Sequence, residues 1–318
     1  MSFSLCGSIG ANTGGIQCDV SRGILKRLYI SGGAISSSEY ADATSLEAAL
    51  IAASLLPKTD KDKIFPLPEV QDIADKSDAN KEGSLNQGFK TVLLEGKPAY
   101  ELKFFGGATL VKALRKFNNQ TVRVLELDAN GRLWGTFSGT DVVGFQAKLF
   151  FGGLKSATGQ NVEEGVITMS LSFLDTSEYY DNAVYLDVSG VNMTNVEGLI
   201  DATLYEAASH STNVYKIGAK VPTSQAGVSI NLYDEYADEL ADASLWEAFT
   251  GAPNYATTLP ITSVAKDATL KAWTTTFDST AFSALGSGAK IKLNFKSPAL
   301  LNAGDVTGIE GVAIVLTK

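Results

Sequence analysis

Histidine, cysteine and long apolar runs are scarce in this 318-residue sequence, and each shortage removes a class of function. One histidine, His210, and two cysteines, Cys6 and Cys18, cannot supply the roughly four ligands a zinc site needs. Two thiols within the first twenty residues are no disulfide framework, although a single Cys6–Cys18 bridge pinning the N-terminal end stays open. No stretch approaches the roughly 18 consecutive apolar residues of a membrane-spanning helix. The opening Met1-Ser2-Phe3-Ser4-Leu5-Cys6 has neither the basic start nor the apolar run of a secretion signal. The sequence therefore predicts a protein made in a cytoplasm that stays soluble until it assembles.

Catalytic patterns are missing as well. The glycine run from Gly7 to Gly15 lacks the Gly-Lys-Ser/Thr ending of a phosphate loop, and no strand precedes it. His210 sits in Ala208-Ser209-His210-Ser211-Thr212, a polar, turn-like setting that reads as a surface histidine rather than a general base. Two carboxylate pairs, Glu163-Glu164 and Glu126/Asp128, could in principle serve glycosidase chemistry. The first lies in a polar connection and the second beside a hairpin turn, where solvated acids are ordinary. Asp128-Ala129-Asn130-Gly131 has no bidentate glutamate at calcium-loop spacing, so it reads as a turn. The expectation is no enzyme: no catalytic residue, no cofactor and no metal.

What is present is a core-forming composition, 45% hydrophobic and 19% charged, long enough for two domains. The net charge of −9 is uneven: residues 141–318 carry 20 acids against 10 bases, residues 1–140 carry 15 against 16. That balance disfavours tight DNA binding, which relies on Lys and Arg displacing phosphate counterions. It suits an acidic, soluble surface, or a wall past which an anionic polymer moves without sticking.

Along the chain, residues 1–40 form a glycine-rich arm around one apolar run, Ile24 to Ile30. An arm of that kind orders itself on a neighbour more readily than on itself. Thr44-Ser45-Leu46-Glu47 is a capping box opening a helix to about Leu56, stopped by Pro57. Residues 57–88 form a long charged loop containing Phe65-Pro66-Leu67-Pro68, the best candidate for an element that projects to a partner subunit. Strands follow at 89–94 and 99–105, a helix at 109–117, and a hairpin from Val122–Leu127 to Arg132–Phe137 across Asn130-Gly131. Phe145–Phe151 is a further strand, and Thr168–Leu174 alternates with Met169, Leu171 and Phe173 inward.

A domain boundary is expected near Tyr179-Tyr180-Asp181-Asn182. Beyond it, strands are predicted at 184–191 and 214–221, then an acidic helical stretch over Asp234–Phe249 with a second capping box at Ser244-Leu245-Trp246-Glu247. Strands return at 261–265, 268–277, 290–296 and 312–316, a spacing that suggests an immunoglobulin-like sandwich. Phe104-Phe105, Phe150-Phe151 and Tyr179-Tyr180 each put one ring on either face of a strand. One ring of each pair then packs either under a neighbouring element of its own chain or on another copy of the chain.

Leu127-Asp128-Ala129-Asn130-Gly131-Arg132-Leu133-Trp134-Gly135-Thr136, Gly144-Phe145 and Leu174-Asp175 resemble, within residues 90–180, virion proteins of tailed bacteriophages, in particular tail tube subunits. The resemblance implies a β-sandwich flanked by a helix, an N-terminal arm and a long loop that packs on the next ring. The expected fold is mainly β with a minor α+β part. It comprises an arm (1–40), a tube-like β-sandwich or barrel domain with flanking helix (41–180) and an acidic second sandwich (181–318). The expected partners are copies of the chain in stacked rings and other virion proteins, with DNA only passing through and no membrane. Phe65, Leu67, Phe104 and Phe105 are the expected subunit interface, and the expected location is the virion. Two rivals keep the fold and change the role: a capsid or head-decorating protein, and a receptor- or glycan-binding module.

Overall fold

A computed structural model describes residues 22–84, 90–154, 166–225 and 227–318. The chain is mainly β and divides into two compact units, the first running to Gly198 and the second comprising Leu199–Lys318 with Leu55–Pro57. Cys6, Cys18, Glu163 and Glu164 lie outside the described residues.

The first unit contains, in order, β1 (Leu25–Ser31), α1 (Ala43–Ser54), β2 (Ile64–Pro66), β3 (Val70–Asp75), β4 (Lys81–Ser84), β5 (Lys90–Leu94), β6 (Ala99–Phe105) and α2 (Ala108–Leu114). It continues with β7 (Thr121–Asp128), β8 (Arg132–Ser138), β9 (Asp141–Val143), β10 (Phe145–Leu154), β11 (Val166–Phe173), α3 (Thr176–Tyr180) and β12 (Ala183–Asp187). Its sheet runs β12-β8-β7-β10-β11-β6-β3, with β1 also joined to β7. β7 branches the sheet: its first half pairs with β10 (Phe145↔Val124) and its last with β8 (Glu126↔Trp134). β1 lies antiparallel along β7, from Leu25↔Asp128 to Ser31↔Arg123.

This β1–β7 pair is apolar on both faces, so it forms a wall between two cores. Leu28, Ile30 and Val124 face one core, closed by Val111 and Leu114 of α2. Tyr29, Leu125 and Leu127 face the other, closed by Leu46 and Leu50 of α1. Each such side chain, fully buried, contributes about 1.5–3 kcal/mol. The run Ile24 to Ile30 is thus a central strand of its own sheet, not part of an arm that orders on a neighbour.

Three further expectations change in this unit. The first helix is capped by Asp42, whose carboxylate accepts from the amide (2.8 Å) and hydroxyl (2.9 Å) of Ser45. Glu47 is therefore free of capping and binds the Asn192 amide and the Asn195 side chain instead. The predicted loop 57–88 contains three strands, because Ile64 and Leu67 are drawn into the cores and Pro66 lies on an edge strand, where no amide is required. The strand predicted from 184 ends at Asp187 and pairs with β8 of the first unit, burying Val184 and Leu186. The boundary accordingly falls at Gly198 rather than near Asp181. The hairpin at Asp128–Arg132 forms as predicted, with Gly131 at a φ of 75°.

The second unit comprises β13 (Ile200–Ser211), β14 (Val214–Pro222), β15 (Ser229–Asn231), α4 (Tyr233–Tyr236), β16 (Trp246–Thr250), β17 (Thr257–Thr258) and β18 (Ile261–Asp267). It ends with β19 (Ala272–Phe277), α5 (Ser279–Ser283), β20 (Lys290–Phe295), α6 (Pro298–Ala303), β21 (Ile309–Val312) and β22 (Ile314–Thr317). Two sheets, β18-β19-β14-β13-β21 and β17-β16-β20-β22, share one core centred on Trp246, Trp273, Tyr215, Phe277 and Phe295, which makes a sandwich. β13 and β21 pair in parallel, whereas the other pairs are antiparallel.

The helix predicted over Asp234–Phe249 is instead α4, two short 3₁₀ turns and a strand. Trp246 and Ala248 alternate inward against Glu247 and Phe249, and Asp242 caps the turn before them. Inside this core Thr275 is fully buried with an Oγ1 that has no hydrogen-bond partner. Thr275→Val keeps the shape and removes that cost, so it should stabilise the unit by about 1 kcal/mol in thermal unfolding. A lowered melting temperature would show that the hydroxyl is bonded after all.

Candidate functional site

The feature most open to another polypeptide is the ribbon that begins at β3. Among the described residues this strand ends the sheet, paired only with β6 through Val70↔Phe104 to Asp75↔Tyr100. The ladder then continues past the sheet: the Lys76 amide donates to the Ala99 carbonyl (2.8 Å) and the Asp78 amide to the Lys97 carbonyl (3.0 Å). The Asn80 side chain accepts from the Gly96 amide at 2.7 Å, and β4 and β5 carry on as a two-stranded sheet of their own. Gly96 is required where the strands converge, since a Cβ there would stand 1.7 Å from the Asp78 carbonyl oxygen. Every residue from Asp75 to Glu82 is exposed. Among the described residues its outer edges have no partner strand, and a lone two-stranded ribbon is marginal in water, so its chemistry is that of strand addition.

The four residues predicted as an interface separate. Leu67 and Phe104 are buried in the core of their own unit and are withdrawn from any subunit surface: Leu67 donates its amide to the Leu28 carbonyl, and Phe104 alternates inward with Leu102. Phe65 is half-buried, edge-on to Phe117 at 5.3 Å. Phe105, 59% exposed, points to the opposite face of β6. The other aromatic pairs split the same way, Phe150 and Tyr180 outward against Phe151 and Tyr179 inward, though Tyr179 and Tyr180 stand on α3 rather than a strand.

Near Phe65 lies an open groove of about 390 Å³, lined by Lys61, Lys63 and Arg123 together with Ser31, Thr121 and Gln146, and by no carboxylate. Part of that charge is committed locally: Lys63 donates to the Ser54 carbonyl at 2.7 Å, and Arg123 pairs with Glu178 at 3.3 Å. His210, in β13, stacks on the Tyr215 ring at 4.4 Å and bonds Glu206 at 3.0 Å.

Glu126 and Asp128 overturn the reading of solvated acids, for both are buried. They stand on one face of β7, and their roles differ. Asp128 accepts four hydrogen bonds: Oδ1 from the Asn130 (2.9 Å) and Arg132 (3.0 Å) amides, Oδ2 from the Gly23 amide and the Trp134 indole, both at 3.0 Å. It ties the hairpin turn to the start of β1 and has no acceptor capacity left for chemistry. Among the described residues Glu126 has a single counter-charge, Arg22 Nη1 at 3.5 Å from Oε2, and an Oε1 without a partner. Around them Tyr100 and Tyr179 join hydroxyls at 2.5 Å, and burial pushes both phenols up. Sequence reasoning missed Arg22, whose only signal is a basic residue just ahead of an apolar strand.

Burial raises the Glu126 carboxyl from 4.5 to about 7, with Arg22 pulling in the opposite direction. The folded state therefore holds a proton that the unfolded state releases. The stability this group contributes is present below about pH 4.5 and is lost as the pH rises through about 7. Wild type should lose stability relative to Glu126→Gln between pH 5 and pH 8 in urea titrations. A constant difference between the two proteins would show that Glu126 titrates normally.

No protein-family model matches the chain, and no curated protein matches it in sequence. Among the described residues no helix is long and apolar enough to cross a membrane, and no group of three His, Cys, Asp or Glu residues is placed to hold a metal ion.

Proposed function

We propose that this chain is a structural virion protein of the tail-tube type, which self-assembles into stacked rings through which DNA passes. The observation that carries the reading is the exposed ribbon continuing β3 and β6 beyond the sheet. It combines strand edges open among the described residues, an exposed stretch from Asp75 to Glu82 and marginal stability by itself, the properties of a segment that acquires order on a neighbouring copy. Support also comes from the helix-flanked β unit, whose sequence over residues 90–180 resembles tail tube subunits, and from the acidic balance of residues 141–318, which does not retain phosphates. The proposed partners are further copies of the chain and other virion proteins, and no side chain is assigned a catalytic role.

Negative-stain microscopy of the purified chain is the direct test. Tubes or stacked rings are expected, and their edges should be disrupted by changes in the ribbon. A protein that stays monomeric across concentration and salt, and instead binds a glycan, would overturn the reading.

A further inference from the structure

We propose that Tyr179, Phe145, Trp134 and Glu126 form a guanidinium-binding site in the first unit, and that the side chain of Arg22 is its resident, displaceable occupant. The guanidinium carbon lies 3.7 Å from the Tyr179 ring centroid, 5.0 Å from that of Phe145 and 5.1 Å from that of Trp134. Ring faces attract cations through their quadrupoles, and a planar guanidinium can lie over a face while its fork of donors still reaches acceptors at the rim. One arm of the fork is hydrogen-bonded and the other is held by charge alone, for Nη1 has no hydrogen-bond partner. The Tyr179 carbonyl takes Nη2 at 2.7 Å, and Glu126 Oε2 stands 3.5 Å from Nη1.

Two observations make this a receptor rather than a chance contact. Glu126 is enclosed with one oxygen unpartnered, and the Arg22 Nη1 beside it is unpartnered too, so the resident ion does not saturate the pocket. The other ionisable groups facing it are Tyr100 and Tyr179, which bond each other, and Asp128, whose oxygens are filled by Gly23, Asn130, Arg132 and Trp134. Arg22 is thus the cation that balances Glu126. Its side chain is also 24% exposed and enters on a tether ahead of β1, not from within the sheet. Arg22 is therefore held through an ion that another guanidinium can replace. The competing ligand class is an arginine side chain on a neighbouring polypeptide, which goes beyond the assembly reading and does not depend on it.

Chemical rescue tests the site. In Arg22→Ala the pocket loses its occupant, and the melting transition that this change lowers should recover by about 3 °C in about 10 mM methylguanidinium chloride, relative to sodium chloride of equal ionic strength. Wild type, with its site filled, should show no such rise. Arg22→Gln is measured alongside, because its amide can still donate to the Tyr179 carbonyl and keep the unit folded while leaving the charge site empty. Rescue in either variant, abolished when Glu126→Gln is added, supports the proposal. Absence of rescue in both, or rescue that persists with Glu126→Gln, overturns it.

Discussion

Asp128→Asn should destabilise the first unit by about 4 kcal/mol, enough to threaten its folding at moderate temperature. The four donors converge in pairs, two on each carboxylate oxygen. Whichever way an asparagine amide turns, its NH₂ group confronts two N–H donors, and each stranded donor costs about 1–3 kcal/mol. Trp134→Phe is the graded control, since it removes a single donor and leaves the carboxylate three partners. Its hydrogen-bond loss should be about 1 kcal/mol. Urea unfolding of the two variants distinguishes a hub from an ordinary turn residue. A cost for Asp128→Asn no larger than that of Trp134→Phe would refute the hub.

The second large effect concerns assembly. Replacing residues 79–96 by Asn-Gly closes the ribbon just above the Asp78–Lys97 hydrogen bond with a turn suited to a two-residue hairpin. The shortened protein should keep the wild-type melting profile and lack the ring or tube formation proposed above. If shortened chains still build normal tubes, the ribbon is not the element that joins subunits. Where the cut is made decides the outcome. Deleting residues 60–85 would remove Ile64 and Leu67 from the cores and β3 from the sheet, so that protein would fail by unfolding.

Both predictions rest on residues that the sequence exposes unequally. Asn130-Gly131 between alternating strands announces its hairpin, and the alternation of Met169, Leu171 and Phe173 announces β11, because both signals are local. The strands inside 57–88 are masked by Pro66 and Pro68, since a proline on a three-residue edge strand looks the same in sequence as one in a loop. Ser244 and Glu247 imitate a capping box, but the inward alternation of Trp246 and Ala248 against Phe295 and Leu293 outweighs the local pattern. Interface residues were half legible: strand alternation separates Phe104 from Phe105, but only tertiary packing shows which ring turns inward. The burial of Asp128 and Glu126 was not legible at all. It depends on Gly23, Arg22 and Tyr179, which adjoin them only after β1 has paired with β7 and α3 has closed over them.

That pairing also orders events in time. Leu28 meets Glu126 about one hundred residues later in the chain, so the wall between the two cores is a long-range contact whose loop must close before either core is complete. During synthesis β1 leaves the ribosome first and waits for β7, its Leu-Tyr-Ile segment exposed throughout that interval. In the finished unit the amides of this central, doubly buried pair should be among the slowest to exchange, and a chaperone that shields β1 would act before β7 arrives to cover it.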